Sequence, residues 1–433
     1  MTDITSGSVP ASPAPKTNTN LILAGLAKRN RKQIILQGFG LAAIGFAFLM
    51  LAILVGSLVA TGYKAFTQTH LTVSVFVDPA EIPRDELPRG GFDDVLEASL
   101  LAMFPEVTDR DAQKLLNDFY SNGAQFTLRD MVVADPDLIG QTVTLTVPMA
   151  DPLDQLSKGL VDRSTANDER RVNDTEIAWF DTLAASGAIS NPVNWGLLTN
   201  ADSRFPELAG LRGALAGSFW ALLVCFAISF PLGIGAAIYL EEFAPKNRMS
   251  DLIEVNINNL AAVPSVVYGL LALVVFIGWF GLGRSTPFVG GLTLALMTMP
   301  TIIIATRVAF KAVPPSIREA ALGVGASKQQ VVFDHVLPLA LPGIMTGTII
   351  GLARALGETA PLLLIGMNAF ITSAASSPFE SATALPTQIF IWADSPERGF
   401  VSRTSAAILV LLAFLITMNA IAIYFRNRFE RKW

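Results

Sequence analysis

The sequence predicts a mainly α-helical membrane protein with six transmembrane helices and an inserted α+β domain. Apolar residues make up 52% of the 433 positions and charged residues only 15%, with a mean hydropathy of +0.49. The apolar residues are concentrated in six long runs, which a water-soluble core does not need. A long polar segment, residues 64–210, separates the first run from the other five. This pattern excludes a soluble enzyme.

The N-terminal part of the sequence indicates a polar tail followed by a first transmembrane helix. Residues 1–20 are rich in Ser, Thr, Pro and Asn, and four Lys or Arg residues follow between positions 28 and 32. We expect residues 1–37 to be a disordered, basic cytoplasmic N-terminus. The uncharged run that follows is 25 residues long, whereas the apolar part of a secretory signal has about 7–15 residues. We therefore interpret residues 38–63 as a retained transmembrane helix.

The segment 64–210 is predicted to be a small α+β domain. It contains 24 acidic and 11 basic residues, a net charge of −13, while the rest of the chain has a net charge of +8. Apolar and polar residues alternate at 71–77 and 141–147, which indicates strands. Helical patterns occupy 92–104, 109–120 and 174–186, with Thr108 as a candidate N-cap.

Five further apolar runs define a second membrane region, residues 211–433. They lie at about 214–240, 259–281, 289–310, 339–366 and 404–425. Each run can cross a hydrocarbon layer of about 30 Å at 1.5 Å per residue. With both termini inside, the inner segments contain 14 Lys and Arg residues and the short outer loops contain 3. The positive-inside rule therefore favours an N-in/C-in topology, which places residues 64–210 outside.

The inner loop 311–338 has its own helical pattern. Apolar residues recur at helical spacing after Pro314 and Pro315, and a second helical piece begins at Ser327. The small residues Gly323 and Gly325 lie where the two pieces meet. We expect a compact helical hairpin that protrudes on the cytoplasmic side.

This loop resembles the coupling loop of binding-protein-dependent ABC import permeases. Glu319, Ala320 and Ala321 are followed after three residues by Gly325, and a Leu-Pro pair ends the pattern at the family spacing; only an Ile is replaced, by His335. The resemblance implies that Glu319, Ala320, Ala321 and Gly325 dock in a groove of an ATPase subunit. The alternative is an amphipathic connector without a partner.

Several other classes of site are not predicted. The chain has no GxxxxGK[ST] motif and no Gly-Lys dipeptide, so ATP hydrolysis is assigned to another subunit. The only cysteine, Cys225, and the two histidines, His70 and His335, lie far apart in the sequence, which excludes a Cys/His zinc site. Basic residues are not interleaved with aromatic ones, so nucleic-acid binding is not expected. We expect no cofactor and no catalytic residue.

The fifth run contains two charged residues, Arg354 and Glu358, four positions apart. A charge in the membrane costs about 2.5–3.5 kcal/mol even on lenient scales, so such residues are paired or shielded from lipid. On a continuous helix, both would share an arc with a ridge of small residues that consists of Gly343, Gly347, Gly351 and Ala355. Such ridges favour close helix packing.

Two interpretations of this charged pair are open. It can be a salt bridge that only orients helix packing. Alternatively, Arg354 contacts a transported anion, because the guanidinium donor fork matches tetrahedral oxyanions, and Glu358 neutralises Arg354 when the site is empty. Arg307, near the inner end of the fourth run, is expected to be a positive-inside anchor.

Three further stretches resemble the PstA-type permease family of phosphate-specific ABC importers. They are PLGIGAAIYLEEFAP at 231–245, NINNLAAVPSVVYGL at 256–270 and ARALGETAP at 353–361. The similarity covers about 205–433 and implies an ABC type I importer permease fold in a bacterial inner membrane. It also implies a PstC-type partner permease, a PstB-type ATPase dimer, a periplasmic PstS-type phosphate-binding protein, and a role for Arg354 and Glu358 in phosphate passage.

Two alternatives to a phosphate permease remain open at this point. One is a permease for another oxyanion, such as sulfate or molybdate, which the loop and span count suit equally. The other is a membrane receptor, although the inner segments are too short for a signalling domain. The net charge of −13 on residues 64–210 repels phosphate, so we expect this domain to be a docking or spacing element, or a decoration without a transport role.

Overall fold

The computed structural model describes residues 18–429, which begin with one long helix, α1 (Asn18–Gly62). Ala, Leu, Lys, Arg and Gln, which are good helix formers, dominate the part before residue 38. The expected disorder is therefore wrong for residues 18–37, and residues 1–17 lie outside the described part. The predicted first span, 38–63, lies within this helix except for its last residue. Of the described residues, 18–57 form a unit of their own.

The inserted domain contains a small antiparallel sheet, which confirms the predicted strands. Strand β1 (His70–Phe76) lies between β2 (Thr142–Pro148) and the short β3 (Ile189–Ser190). Leu71, Val73 and Val75 alternate along β1 and are all buried. Because successive side chains of a strand point to opposite faces, this alternation places one face of the sheet on the domain core.

Six helices accompany this sheet in the described residues: α2 (Phe92–Met103), α3 (Arg110–Asn117), α4 (Ala124–Ala134), α5 (Asp151–Ser157), α6 (Asp174–Ala185) and α7 (Gly196–Thr199). Helices α2, α3 and α6 were predicted, whereas α4, α5, α7 and β3 were not. The N-cap of α3 is Asp109, whose carboxylate accepts a hydrogen bond from Ala112 N at 3.2 Å, so the expectation of Thr108 is wrong. The buried apolar side chains from Leu71 to Leu183 form one cluster, as an α+β domain requires. Leu197 of α7 belongs to a second cluster, which includes residues of α8, α16 and α17.

The second region of the chain is helical throughout its regular elements: α8 (Arg212–Ile238), α9 (Arg248–Ala261), α10 (Ser265–Ala272), α11 (Pro287–Ala312), α12 (Pro315–Gly323), α13 (Lys328–Gln330), α14 (Leu337–Gly357), α15 (Ala360–Leu364), α16 (Leu385–Ala393) and α17 (Gly399–Phe429). In the described residues, five helices are long and apolar enough to cross a membrane, or six spans if one bent pair counts as a span. The predicted fold class, mainly α with a small inserted sheet, is confirmed.

The bent pair consists of α9 and α10, which meet at 99°. The sequence predicted one span at 259–281, but Pro264 follows α9 and cannot continue its hydrogen-bond ladder. The Tyr268 hydroxyl donates to the Leu260 carbonyl at 2.7 Å. The same oxygen accepts from Val263 N at 3.1 Å, so the hydroxyl adds a second hydrogen bond at the C-terminal end of α9. The predicted single span at 259–281 is therefore wrong, because a continuous apolar pattern does not reveal the break between α9 and α10.

Helix α14 packs closely against α11 along the ridge of small residues predicted from the sequence. A methyl group on Gly343 would come within 2.7 Å of Ala309 Cβ, and one on Gly351 within 2.8 Å of Thr298 Cγ2. Such distances leave no room for a larger side chain. The predicted close packing of the ridge is confirmed, and α11 is its partner.

Candidate functional site

The loop 311–338 forms the helical hairpin that its sequence predicts. Helix α12 follows the Pro314–Pro315 pair, and Ser327 caps α13. The Ser327 hydroxyl accepts from Gln330 N at 3.3 Å, while Gln330 Oε1 accepts from Ser327 N at 2.8 Å. This reciprocal capping box fixes the start of the second helical piece. The piece continues as a π-helical turn, Val331–Val336, into α14.

The joint between the two helical pieces depends on Gly325. Its φ is +92°, in the left-handed region that side chains with a Cβ rarely adopt. Gly325 N donates to Leu322 O at 3.0 Å, and Ala326 N donates to Ala321 O at 3.1 Å. These bonds close the C-terminal end of α12 in the manner of a glycine cap. A Gly is therefore required here for the turn itself.

The four residues predicted to contact an ATPase subunit divide into two groups. Glu319, Ala320 and Gly325 are exposed, whereas Ala321 is buried against the apolar cluster that includes Val332. The structure thus gives Ala321 a packing role within the hairpin and leaves the other three on its surface. Beyond Gly323, Val324 is 86% exposed, so the hairpin also presents an apolar side chain at its tip.

Arg318 connects the hairpin to the C-terminal end of α8. Its guanidinium donates to Glu242 Oε1 from Nη2 at 2.8 Å and from Nε at 3.1 Å. It also donates to the carbonyls of Phe310 and Val313 at 2.9 Å each, at the C-terminal end of α11. One half-buried side chain therefore joins α12, α11 and the π-helical turn Tyr239–Phe243 that ends α8. The sequence analysis missed this connection.

Arg307 is part of a neighbouring ion-pair network. Its Nη2 donates to Glu254 Oε2 at 2.8 Å and its Nε to Glu241 Oε2 at 3.3 Å. Lys311 Nζ lies 3.7 Å from the same Glu241 oxygen. The Arg307 side chain is only 13% exposed, so Arg307 also joins helices within the chain, which the sequence analysis did not predict. The adjacent acids Glu241 and Glu242, directly after an apolar run, were the available sequence signal.

Arg354 and Glu358 contact each other, as the sequence predicts for a charged pair in a span. Arg354 Nε lies 3.5 Å from Glu358 Oε1, a longer separation than the 2.7–2.9 Å of a strong charge-assisted hydrogen bond. The Arg354 side chain is 54% exposed and that of Glu358 is 20% exposed. The pair is therefore loose, and about half of the Arg354 side chain is open in the single chain.

The two residues do not lie on one helix, which corrects the sequence expectation. Helix α14 ends at Gly357, and Glu358 follows it with an extended backbone, ψ 116°. Pro361 is the second residue of the next short helix, α15, and its missing N–H could not have continued α14. The pair thus lies at a break in the predicted span, and Ile350, Arg354 and Gly357 form an exposed stripe leading to it.

Among the described residues, no group of three or more His, Cys, Asp or Glu side chains is arranged to hold a metal ion. Two features remain. The Arg354 guanidinium lies beside the helix break after α14, and the hairpin at 311–338 is bonded through Arg318 to α11 and to the end of α8. Together with the spans, these features define the class of a polytopic membrane transport component.

Comparison with known proteins agrees with this class. Residues 229–433 match the family model of the binding-protein-dependent transport system inner membrane component. Residues 23–167 match a domain of unknown function, DUF3333, and this match covers most of α1 and most of the inserted domain. The hairpin, the break and the ion-pair network all lie within the first match.

Several proteins with similar sequences are named as permeases. The phosphate transport system permease protein PstA of Yersinia pestis is 33% identical over 221 residues, which are 49% of this chain and 71% of that protein. PstA 1 of Mycobacterium tuberculosis H37Rv is 31% identical over 50% of this chain and 70% of its own length. The probable ABC transporter permease YqgI of Bacillus subtilis is 32% identical over 43% of this chain, but only 63% of its own length is covered.

This chain belongs to the family of binding-protein-dependent inner membrane permeases of ABC importers, and its relatives there include PstA-type proteins. Among solved structures, an inward-facing MetNI methionine ABC transporter matches 51% of this chain and 95% of its own, with 18% identity and a TM-score of 0.38. A bacterial alginate ABC importer matches 51% and 80%, with 15% identity and a TM-score of 0.40. Neither structural likeness is strong enough to support a conclusion.

Proposed function

We propose that this chain is a permease subunit of an ATP-driven inorganic phosphate importer and forms the translocation path with a second, PstC-type permease. The observation that carries the proposal is the loose pair at the break after α14. Arg354 is 54% exposed and has one ionic contact of 3.5 Å, to Glu358. Its remaining donors are available for a tetrahedral oxyanion, whose oxygens match the guanidinium fork.

In this mechanism, Glu358 controls how tightly the anion is held. In the empty path, its carboxylate offsets the charge of Arg354 and lowers the cost of a cation in the membrane. An arriving anion competes with the carboxylate for the guanidinium. Because Glu358 stays close and repels the anion, binding remains weak enough for release on the other side.

The choice of phosphate is supported by the relatives. Several curated relatives at about 30% identity are named as phosphate transport system permeases. The charged pair itself would suit sulfate or molybdate equally, since those are also tetrahedral oxyanions. The identity of the anion is therefore the part of the proposal that a competition experiment must test.

The hairpin is the proposed point where work from ATP hydrolysis enters. A PstB-type ATPase dimer would bind the exposed surface that contains Glu319, Ala320 and Gly325. Buried Ala321 would keep α12 packed against the rest of the hairpin. Arg318 would then pass movement of α12 to α8 and α11, because it is bonded to both. This chain would supply no nucleotide chemistry of its own.

The proposed topology is N-in/C-in in a bacterial inner membrane, with residues 64–210 on the periplasmic side. This orientation places the basic flanks inside, in accordance with the positive-inside rule. A PstS-type binding protein would deliver phosphate from the same side as the inserted domain. We assign that domain a docking or spacing role, since its net charge of −13 opposes attraction of free phosphate.

The test uses the complete complex in vesicles loaded with ATP. We expect Arg354→Ala to reduce import of labelled phosphate by about a hundredfold, because a bidentate charged contact is lost. Glu358→Ala should also impair import, through anion retention. The control is Arg248→Ala, an exposed arginine with no ion pair among the described residues. Normal import by Arg354→Ala would overturn the proposal, and competition by sulfate or molybdate but not arsenate would reassign the anion.

A further inference from the structure

The inserted domain has a small exposed apolar patch close to the point where the chain enters α8. The patch consists of Val193, Trp195 and Leu198, which lie in α7 and just before it. Trp195 is 69% exposed and Val193 is 59% exposed, and Leu198 is exposed as well. The transport proposal gives these side chains no role, so the question is what covers them.

The backbone that carries the patch is bonded to the residues that follow α1. Asn194, which directly precedes Trp195, donates from its backbone N to Phe66 O at 2.8 Å. Its side-chain amide donates to Ala65 O at 3.1 Å. Helix α1 ends at Gly62, only a few residues before these two acceptors. The patch is therefore held beside the end of the first transmembrane helix.

Helix α7 is also bonded to the start of α8. Leu211, the N-cap of α8, donates from its backbone N to Leu197 O at 2.8 Å. The Leu197 side chain is fully buried in a cluster with Ala65, Ala214 and Ala406, which lie at the ends of α1, α8 and α17. One residue of α7 thus packs against the ends of three transmembrane helices, while the neighbouring patch remains exposed.

Arg403 indicates the depth of the patch relative to the hydrocarbon layer. The uncharged run 404–425 that follows it has 22 residues, about 33 Å at 1.5 Å per residue, which matches a hydrocarbon layer of about 30 Å. Buried Arg403 therefore marks one edge of this layer. Its guanidinium donates to Gln68 Oε1 at 2.8 Å, and the same oxygen accepts from the Asn194 side chain at 3.4 Å. Because Asn194 is next to Trp195, the patch lies at this edge, where a headgroup layer of about 5–7 Å begins.

We propose that Val193, Trp195 and Leu198 lie in the phospholipid headgroup layer and anchor the inserted domain to the membrane surface. Tryptophan is enriched at membrane–water interfaces, because its ring is apolar while its indole N–H is polar. An exposed indole at this depth places its ring against acyl chains and its N–H among headgroup oxygens. A protein partner fits less well, since a stable protein interface takes roughly 20–30 residues from each side. The inference does not depend on which anion the permease transports or on which side of the membrane the domain lies.

The opposite end of the domain provides a matched control position. Strand β1 begins at His70, two residues after Gln68, and its seven residues extend about 20 Å. Just beyond its far end, Val77 O accepts from Gly140 N at 2.8 Å. Helix α4 ends six residues before Gly140, and its Val133 is 47% exposed. Val133 is therefore an exposed apolar residue of the same domain that lies away from the ends of the transmembrane helices.

The test places a nitroxide label on the patch in the full-length chain, reconstituted alone and at low density in vesicles of phosphatidylcholine and phosphatidylglycerol. Trp195→Cys and the control Val133→Cys provide the attachment sites, and the unsubstituted chain, whose Cys225 is buried, gives the labelling background. We expect the ratio of collision rates with oxygen and with a nickel chelate to be at least about fivefold higher at position 195, because oxygen concentrates in apolar surroundings and the chelate remains in water. Val193→Cys, which leaves the indole in place, should give the same result.

Three results would overturn the inference. Equal ratios at positions 195 and 133 would show that the patch faces water. Low collision rates with both reagents in the reconstituted chain would show that a second copy covers the patch. Protection from both reagents that appears only in the assembled complex would assign the patch to a partner subunit. None of these measurements uses transport, so the membrane anchor and the proposed function can fail independently.

Discussion

Arg318 and Glu242 form a two-donor ion pair, with distances of 2.8 and 3.1 Å from Nη2 and Nε to a single carboxylate oxygen. The two residues are 76 positions apart, one in the hairpin and the other in the π-helical turn at the C-terminal end of α8. Their side chains are 23% and 11% exposed, so water screens this pair less than a surface pair. The pair therefore connects α12 to the end of α8.

Loss of this connection should uncouple ATP hydrolysis from import. We expect Arg318→Ala and Glu242→Gln each to lower import about tenfold while ATPase activity of the assembled complex persists, because docking is intact but movement is not passed on. The ratio of phosphate imported to ATP hydrolysed, measured in vesicles, reports this uncoupling. Arg248→Ala serves as the control. If ATPase activity and import fell in parallel, the pair would serve assembly rather than coupling.

Removal of Arg307 should weaken the connection of α11 to α9 and to the turn that ends α8. This guanidinium is bonded to Glu241 and Glu254, and its loss leaves the 19%-exposed Glu241 with only Lys311, at 3.7 Å. We expect Arg307→Met to cost about 2 kcal/mol, below the 3–5 kcal/mol typical of a fully buried pair. Thermal unfolding of the purified chain in micelles measures this cost. Glu254→Gln should cost less, because Glu254 is 44% exposed.

A double-mutant cycle separates the ion pair from general damage. If Arg307→Met and Glu241→Gln together destabilise the chain by the sum of their single effects, the two residues do not interact energetically. A coupling energy clearly above zero is the expected result.

The sequence predicted those elements that local patterns specify. The Pro314–Pro315 pair, Gly325 and the Ser327 capping box define the hairpin within a few residues of each other, and alternation along residues 71–77 defines β1. These signals act over one or two turns, so a single sequence contains them. The small ridge on α14 was likewise visible from its four-residue spacing.

The features that the sequence did not predict depend on distant partners or on interrupted backbone. The partners Arg318 and Glu242 are in different helices, and no periodicity relates them. The break after Gly357 and the bend at Pro264 interrupt continuous apolar runs, and apolarity reports burial in lipid rather than helix continuity. Arg354 and Glu358 were therefore correctly paired but wrongly placed on one helix face.

At the contact between Gly347 and Ala305, there is room for the side-chain methyl group of only one of the two residues. A Cβ added to Gly347 would overlap the Ala305 side chain. We expect Gly347→Ala to destabilise the packing of α14 on α11 by about 1–3 kcal/mol, as overpacking does. The double variant Gly347→Ala with Ala305→Gly should recover most of the lost stability, because the methyl group moves across the interface. Thermal unfolding in micelles compares the two.

The control for this packing argument is Gly235→Ala. No atom lies within 4 Å of a Cβ placed on Gly235, so stability should be unchanged or slightly higher, as expected for Ala in a helix. If Gly347→Ala were as stable as Gly235→Ala, the close approach of the two helices would be wrong.

Buried Glu207 should make the inserted domain more stable as the pH falls. Its side chain accepts a hydrogen bond from the Ser121 hydroxyl at 2.7 Å, and the residue is 7% exposed. Burial raises the pKa of Glu207, and although the Ser121 bond opposes this effect, the shift remains upward. The folded state therefore binds a proton more tightly than the unfolded state, whose Glu pKa is about 4.3.

The sign of the pH dependence follows from this difference. Stability should decline as the pH rises from about 4.3 through the folded-state pKa, and it should be constant above that value. Asp151 and Arg403, the charged groups that act on Glu207, remain in place in Glu207→Gln. This variant cannot ionise and can still accept from Ser121, so it should melt a few degrees higher at neutral pH and lose that advantage in acid. Melting curves in micelles at several pH values test this. An equal difference between the two proteins at every pH would show that the gain comes from packing and not from the proton.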